Sequence, residues 1–141
     1  MRILAIDHGD ARAGTAICDP SGTIVRPLGV VSPPDPAEVA RVAAEHEAEL
    51  IVVGLPVSLD GSEGEQAAVA RAFADDLAGH AGIPVETYDE RLTTRMAAQT
   101  ARGGASAPPD ALAAAHLLES YLAARAPDPA APGREAEEAA G

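Results

Sequence analysis

Leu50-Ile51-Val52-Val53-Gly54 is a wholly apolar run set between two stretches of helical spacing. A strand with one wet face alternates apolar and polar residues, whereas a short run without alternation reads as a strand covered on both faces. That one segment directs the chain toward a layered α/β domain, with helices on either side of a sheet. Its 141 residues are enough for one domain with a real core and too few for two. With only 2% aromatic residues against 47% hydrophobic, that core has to be built from Ala, Val, Leu and Ile.

The remaining elements fall around this strand. Arg2–Asp7 reads as a first buried strand, Gly14–Cys18 as a second and Thr23–Val31 as a third. The turn Pro20-Ser21-Gly22 joins the last two into a hairpin. Asp35-Pro36 predicts an N-cap followed by proline at the first helical position, with a helix to about Glu49 whose Val39, Val42 and Ala43 face inward. Ser62-x-x-Glu65 has capping-box spacing and predicts a helix to about Ala78. Pro84–Tyr88 is a fifth strand. Thr93 or Thr94 caps a further helix ending at Gly103-Gly104, and Ala105–Pro109 reads as a loop. Asp110–Arg125 forms the last helix, with Ala114, Leu117, Leu118, Tyr121 and Leu122 inward. Residues 126–141, rich in Ala, Pro and Glu, read as a disordered acidic tail after a domain of residues 1–125. The expected architecture is a mixed five-stranded sheet flanked by helices.

Acidic groups stand where such a sheet gathers its strand and helix ends. They are Asp7 in Ile6-Asp7-His8-Gly9, the doublet Asp89-Glu90, and Asp110 after Pro108-Pro109. Carboxylates brought together repel unless a cation neutralises them, and an all-oxygen set suits Mg²⁺ or Mn²⁺. Each has a plainer reading. Asp7-His8-Gly9-Asp10 is also an ordinary strand exit, with Gly9 allowing a sharp turn or close backbone approach and Asp10 favouring the turn. Asp110 taken alone reads first as an N-cap. Asp89 and Glu90 point to opposite faces while the strand persists, so only one of them faces a cation directly. Gly54–Gly61 could present backbone amides to phosphate, with Ser62 and the next helix N-terminus behind it, or simply connect strand to helix. Arg91 and Arg95, one helical turn apart, could bracket a phosphate. His8 reads as a neighbour of the site, and His116 as packed or exposed.

The net charge is −12, and all ten basic residues are arginine. The tail contributes −3, from Asp128, Glu135, Glu137 and Glu138 against Arg134, which leaves −9 for the rest. Any nucleic-acid contact must then be local, through a few arginines and bound metal. The one cysteine, Cys18, excludes an internal disulfide framework and reads as a small buried side chain. No signal-peptide pattern or membrane-length apolar run is evident, so the expectation is a cytoplasmic protein without membrane contact.

Together these segments resemble the YqgF/RuvX family of bacterial RNase H-like proteins. The matching pieces are Asp7-x-Gly9 with Gly14, Val53-Gly54-Leu55-Pro56 with Asp60-Gly61-Ser62-Glu63, Asp89-Glu90-Arg91-Leu92-Thr93-Thr94, and Asp110 with Ala113-Ala114, Leu117-Leu118 and Tyr121-Leu122. They cover residues 2 to about 124 in the family's order. Members are described as candidate Holliday junction resolvases and candidate pre-16S rRNA nucleases. The resemblance implies an RNase H-like fold and a metal nuclease site of Asp7, Glu90 (or Asp89) and Asp110. It implies two ions about 3.5–4 Å apart, bridged by Asp7 and held singly by Glu90 and Asp110, for in-line attack on a phosphodiester. Gly9, Arg12, Ser62, Arg91 and Arg95 would contact substrate. The chain departs from the family by carrying Asp10 at a hydroxyl position, Arg12 without a basic neighbour at Ala11, and no basic residue just before Asp110. Its phosphate-binding cations are thinned.

The implied partners are precursor rRNA or branched DNA, with pre-ribosomal particles, for a monomer or homodimer. Two other classes compete. An actin-like ATPase module shares Asp-x-Gly after a first strand, but the chain is too short for paired ATP-clamping domains. A non-catalytic ribosome-assembly factor that binds RNA would suit the acidic composition.

Overall fold

The computed structural model describes residues 1–56, 64–90 and 107–125. Five strands form one sheet: β1 (Ile3–His8), β2 (Ala13–Cys18), β3 (Val25–Val31), β4 (Leu50–Leu55) and β5 (Val85–Asp89), in the order β3-β2-β1-β4-β5. β1, β2 and β3 are an antiparallel meander, while β4 pairs parallel with β1 and β5 parallel with β4. The described helices are α1 (Pro36–Glu45), α2 (Glu65–Ala81) and α3 (Pro109–Arg125). The mixed five-stranded sheet with flanking helices is as expected.

The two-residue period of the strands divides the core. Leu4, Ile6, Ile51 and Val53 face α1 and α2, where they meet Val39, Ala43, Phe73 and Leu77. Ile3, Ala5, Leu50 and Val52 face α3, where they meet Ala114, Leu117, Leu118 and Tyr121. β4 is buried at every position, as a strand covered on both sides must be. Each fully buried Ile or Leu contributes about 1.5–3 kcal/mol, so both layers are needed. Cys18 is a free, buried thiol on the α3 side, and its Sγ accepts from the Ile3 amide at 3.2 Å.

Local chemistry explains most boundaries and corrects several. The Asp35 carboxylate caps α1 by accepting from the Ala37 amide. That helix stops at Glu45 rather than continuing to Glu49, because the chain passes through a left-handed residue at Glu47, φ 58°. Val42 is only partly buried, as is Leu122 on α3. α2 is capped by Gly64, with no side-chain cap, so the capping-box reading of its start does not hold. It runs past Ala78 to Ala81 and ends on Gly82, φ 70°. In the β2–β3 turn Asp19 accepts from the amides of Thr23 and Ile24 and from the Ser21 hydroxyl. β3 begins after these contacts, at Val25 rather than Thr23.

The C-terminal half of α3 is tied to β5. The Tyr88 hydroxyl meets Ser120 Oγ at 3.0 Å, and the Tyr121 hydroxyl donates to Glu86 at 2.8 Å. The two tyrosine rings pack edge to face at 5.5 Å. The helix expected from Thr93 or Thr94 and the tail 126–141 lie outside the described residues. Among the described residues no helix is long and apolar enough to cross a membrane.

α3 approaches β2 so closely that a Cβ on Gly14 would lie 1.9 Å from the Asp110 carbonyl oxygen. Gly29 on β3 faces open space. Gly14→Ala is therefore expected to lower the unfolding free energy by about 1–3 kcal/mol, as overpacking does. Gly29→Ala should stay within about 0.5 kcal/mol of the parent, both read by urea denaturation.

Candidate active site

Asp7 is the fifth residue of β1. The alternation that sends Ile3 and Ala5 toward α3 sends Asp7 the same way, and sends His8 to the opposite face. His8 packs its ring on Phe73 of α2, centroids 4.5 Å apart, so it is a neighbour of the site rather than part of it. Across the β1–β2 ladder Asp7 stands opposite Gly14. The space left by the missing Gly14 side chain is occupied by the backbone of Asp110, which brings the start of α3 beside Asp7.

Glu90 follows the last residue of β5 and lies on the Tyr88 side of the strand, facing α3 and Asp7. Its carboxyl forms a hydrogen bond with that of Asp7. A second glycine makes room for it. One step beyond the Ile6–Val53 pair, Gly54 lies beside Asp7, and a Cβ there would fall 2.6 Å from Glu90 Oε1. The alternation thus separates the acidic doublet, with Glu90 rather than Asp89 meeting Asp7.

Asp110 is the second residue of α3, inside its first turn, and not the N-cap. Its Oδ2 accepts from Arg12 Nε at 2.5 Å. Arg12 precedes β2, in a turn closed by the Gly9 amide donating to the Arg12 carbonyl at 2.9 Å. Gly9 is there for the close approach, since a Cβ would sit 2.9 Å from that same oxygen. Ser62, Arg91 and Arg95 lie outside the described residues.

A cavity of about 250 Å³ opens at this edge, lined by Asp7, Glu90, Ala113, His116 and Leu117. His116 was expected to be packed or exposed. It is half-buried and borders the acids, and its buried Nε2 has no hydrogen-bond partner among the described residues. Its place three positions after Ala113 puts the two on one face of α3, and that helical spacing is the signal that could have found it.

The electrostatics follow from burial. Glu90 is pushed up to about 8, by desolvation first, then by its hydrogen bond with Asp7 and by the charges of Asp7 and Asp89. Asp7 is also raised, mainly by burial, with Asp110 adding to the effect and the Glu90 hydrogen bond opposing it. The pair therefore holds a proton near neutrality, as two carboxyls in contact do. Among the described residues no three acidic, His or Cys groups already enclose one ion. Two of the three expected ligands touch, and the third is turned to Arg12. The donor set is nevertheless all oxygen, half-buried and in need of positive charge, which fits a hard divalent cation.

A carboxyl raised in the folded state binds a proton that the unfolded chain gives up, so it contributes stability at low pH that is lost as pH rises. For Glu90 the window runs from 4.5, its ordinary value, to about 8. His8 and His116, lowered by burial, oppose this below their ordinary value of 6.5. The difference between parent and Glu90→Gln isolates the acid. In chelator, the melting temperature of the parent should fall relative to Glu90→Gln between pH 5 and 8, about the window above. Parallel curves would remove the shared proton from the site.

Comparison with known proteins agrees with this architecture. The chain is 44% identical over 135 residues to a candidate pre-16S rRNA nuclease of Anaeromyxobacter sp. (strain Fw109-5), covering 89% of this chain and 98% of the relative. It is 39% identical over 137 residues to a protein of the same description from Chloroflexus aurantiacus, covering 90% of each. The solved structure of Thermus thermophilus RuvC in complex with a Holliday junction substrate superposes with a TM-score of 0.61 at 20% identity, over 89% of this chain and 96% of that one. The fowlpox virus resolvase bound to Holliday junction DNA gives 0.55 at 12% identity, over 88% and 98%. These two likenesses show the fold, which is the RNase H-like fold of RuvC-type resolvases. The family model for RuvX, described as Holliday junction resolvase, matches residues 1–124, and the chain belongs to that family.

Proposed function

We propose that this protein is a divalent-cation-dependent endonuclease that hydrolyses phosphodiesters in structured nucleic acid, with the 5′ end of precursor 16S rRNA as its substrate. The observation that carries the reading is the hydrogen-bonded carboxyl pair of Asp7 and Glu90, with Asp110 beside it, at one edge of an RNase H-like sheet. The relatives described as candidate pre-16S rRNA nucleases support RNA as substrate. Branched DNA is the alternative within the same chemistry.

Asp7, Glu90 and Asp110 are the residues that would hold Mg²⁺ or Mn²⁺, with Asp89 held back by strand alternation. A bound ion of that kind supplies Lewis acidity and a more acidic water at the scissile phosphate. The protein's part is to bring oxygen ligands into a half-buried edge and to give up the Asp7–Glu90 proton as positive charge enters. Gly9 lets backbone come near the substrate. Arg12, together with Ser62, Arg91 and Arg95, is assigned to the phosphates. The protein would work in the cytoplasm, on pre-ribosomal particles, as a monomer or homodimer.

The −12 charge favours a second reading, a non-catalytic factor that binds precursor RNA during ribosome assembly. The purified protein is expected to cut an RNA carrying the precursor 5′ leader when Mg²⁺ or Mn²⁺ is supplied, and not in chelator. Asp7→Asn should abolish cleavage while leaving the melting temperature close to the parent's. Binding without cleavage under every cation would select the assembly factor, and equal cleavage by Asp7→Asn would end the assignment of this site.

A further inference from the structure

The Arg12–Asp110 contact has a second use. Arg12 is assigned above to phosphate and Asp110 to a cation, yet in this structure each is satisfied by the other. The guanidinium Nε donates to Oδ2, with the Arg12 side chain 61% exposed and that of Asp110 36% exposed. An ion pair this open is worth little net, so it forms readily and exchanges readily. Its position is nonetheless tightly set. The Gly9–Arg12 turn fixes the arginine's backbone, and the contact of α3 with Gly14 fixes the aspartate's.

We infer that Arg12 has two mutually exclusive partners, Asp110 in the cation-free protein and a substrate phosphate once a divalent cation takes Asp110, so that cation loading releases the arginine that grips the nucleic acid. This rests on the nuclease-site reading. The guanidinium is the positive charge beside Asp110. Asp110 would serve a divalent cation held there as a carboxylate ligand, and the guanidinium, of like charge, would then be displaced from it. The exposed side chain then swings toward solvent, at the edge where a phosphodiester must lie to reach the acids. The two binding events are therefore coupled, and coupling of equilibria is reciprocal, so nucleic acid must raise cation affinity by the same factor. In a chain with few cations and none just before Asp110, one arginine carries this exchange.

The test is a double-mutant cycle on binding rather than on activity. Parent, Arg12→Gln, Asp110→Asn and the double variant are titrated, in chelator, against a fluorescein-labelled RNA stem with a single-stranded 5′ leader, and against a four-way DNA junction. In the parent, Arg12 is occupied, so Arg12→Gln should weaken binding by less than about twofold; with Asp110→Asn it is free, and the same substitution should cost about tenfold, the worth of one charge-assisted hydrogen bond. Long-range attraction alone predicts equal losses in both backgrounds. Saturating Ca²⁺ on the parent should reproduce the larger loss, which keeps the test valid if Asp110→Asn fails to fold. Calorimetry with Mn²⁺ and no nucleic acid should show tighter binding by Arg12→Gln. Arg26→Gln, an equal loss of charge on β3, should leave Mn²⁺ affinity unchanged. Additive losses, no effect of Ca²⁺ on the Arg12→Gln penalty, or no binding of either probe by any variant would overturn the exchange. Cleavage measured separately distinguishes the two claims. Non-additive binding without cleavage sinks the nuclease reading alone, and additive binding with Asp7-dependent cleavage sinks the exchange alone.

Discussion

The site depends on backbone approaching where side chains are missing. Gly14 admits the first turn of α3, and Gly54 admits the Glu90 carboxyl, on either side of Asp7. A methyl group at either place would collide with an atom under 3 Å away. Packing at organic-crystal density leaves no slack to absorb such a collision locally. The same two glycines therefore control both the seating of a helix and the gathering of charge.

Gathering that charge opposes folding. Desolvating carboxylates costs more than any of their exposed contacts returns, unless positive charge or a proton accompanies them. The molecule meets this in two ways at once. Burial and mutual contact raise both Asp7 and Glu90, which favours a proton between them, and Asp110 takes a guanidinium. The apolar layers supply the stability that tolerates the arrangement, with β4 buried throughout and α3 anchored to β5 by its two tyrosine contacts. The site lies at the opposite end of α3 from that anchor. Position and energy are thus provided by different parts of the same helix.

Much of this was legible in the residue order. The unbroken apolar run at β4 and the Pro20-Ser21-Gly22 turn led directly to the sheet, and strand alternation set Asp89 and Glu90 on opposite faces, of which Glu90 is the one beside Asp7. What was not legible depended on tertiary context. Ser62-x-x-Glu65 suggested a cap, but capping is decided by which residue leaves helical geometry, and here that is Gly64. Asp110 resembled a cap because it follows two prolines, yet Pro109 is already helical and the carboxylate turns to Arg12. That pairing spans ninety-eight positions, and no local pattern reveals it. His116 was passed over because a lone histidine on an apolar face is usually filler, whereas its neighbour across the cavity belongs to a distant strand.

Cys18, the chain's single sulfhydryl, lies between the sheet and α3, on the same face as Asp7. An alkylating reagent can reach it only when the elements around it open, the N-terminal residues that its Sγ touches or the helix above it, and local opening of this kind has its own free energy, separate from global unfolding. The rate at which this thiol is modified thus reports how often the end of the sheet remote from the acids opens, separately from the edge that holds them.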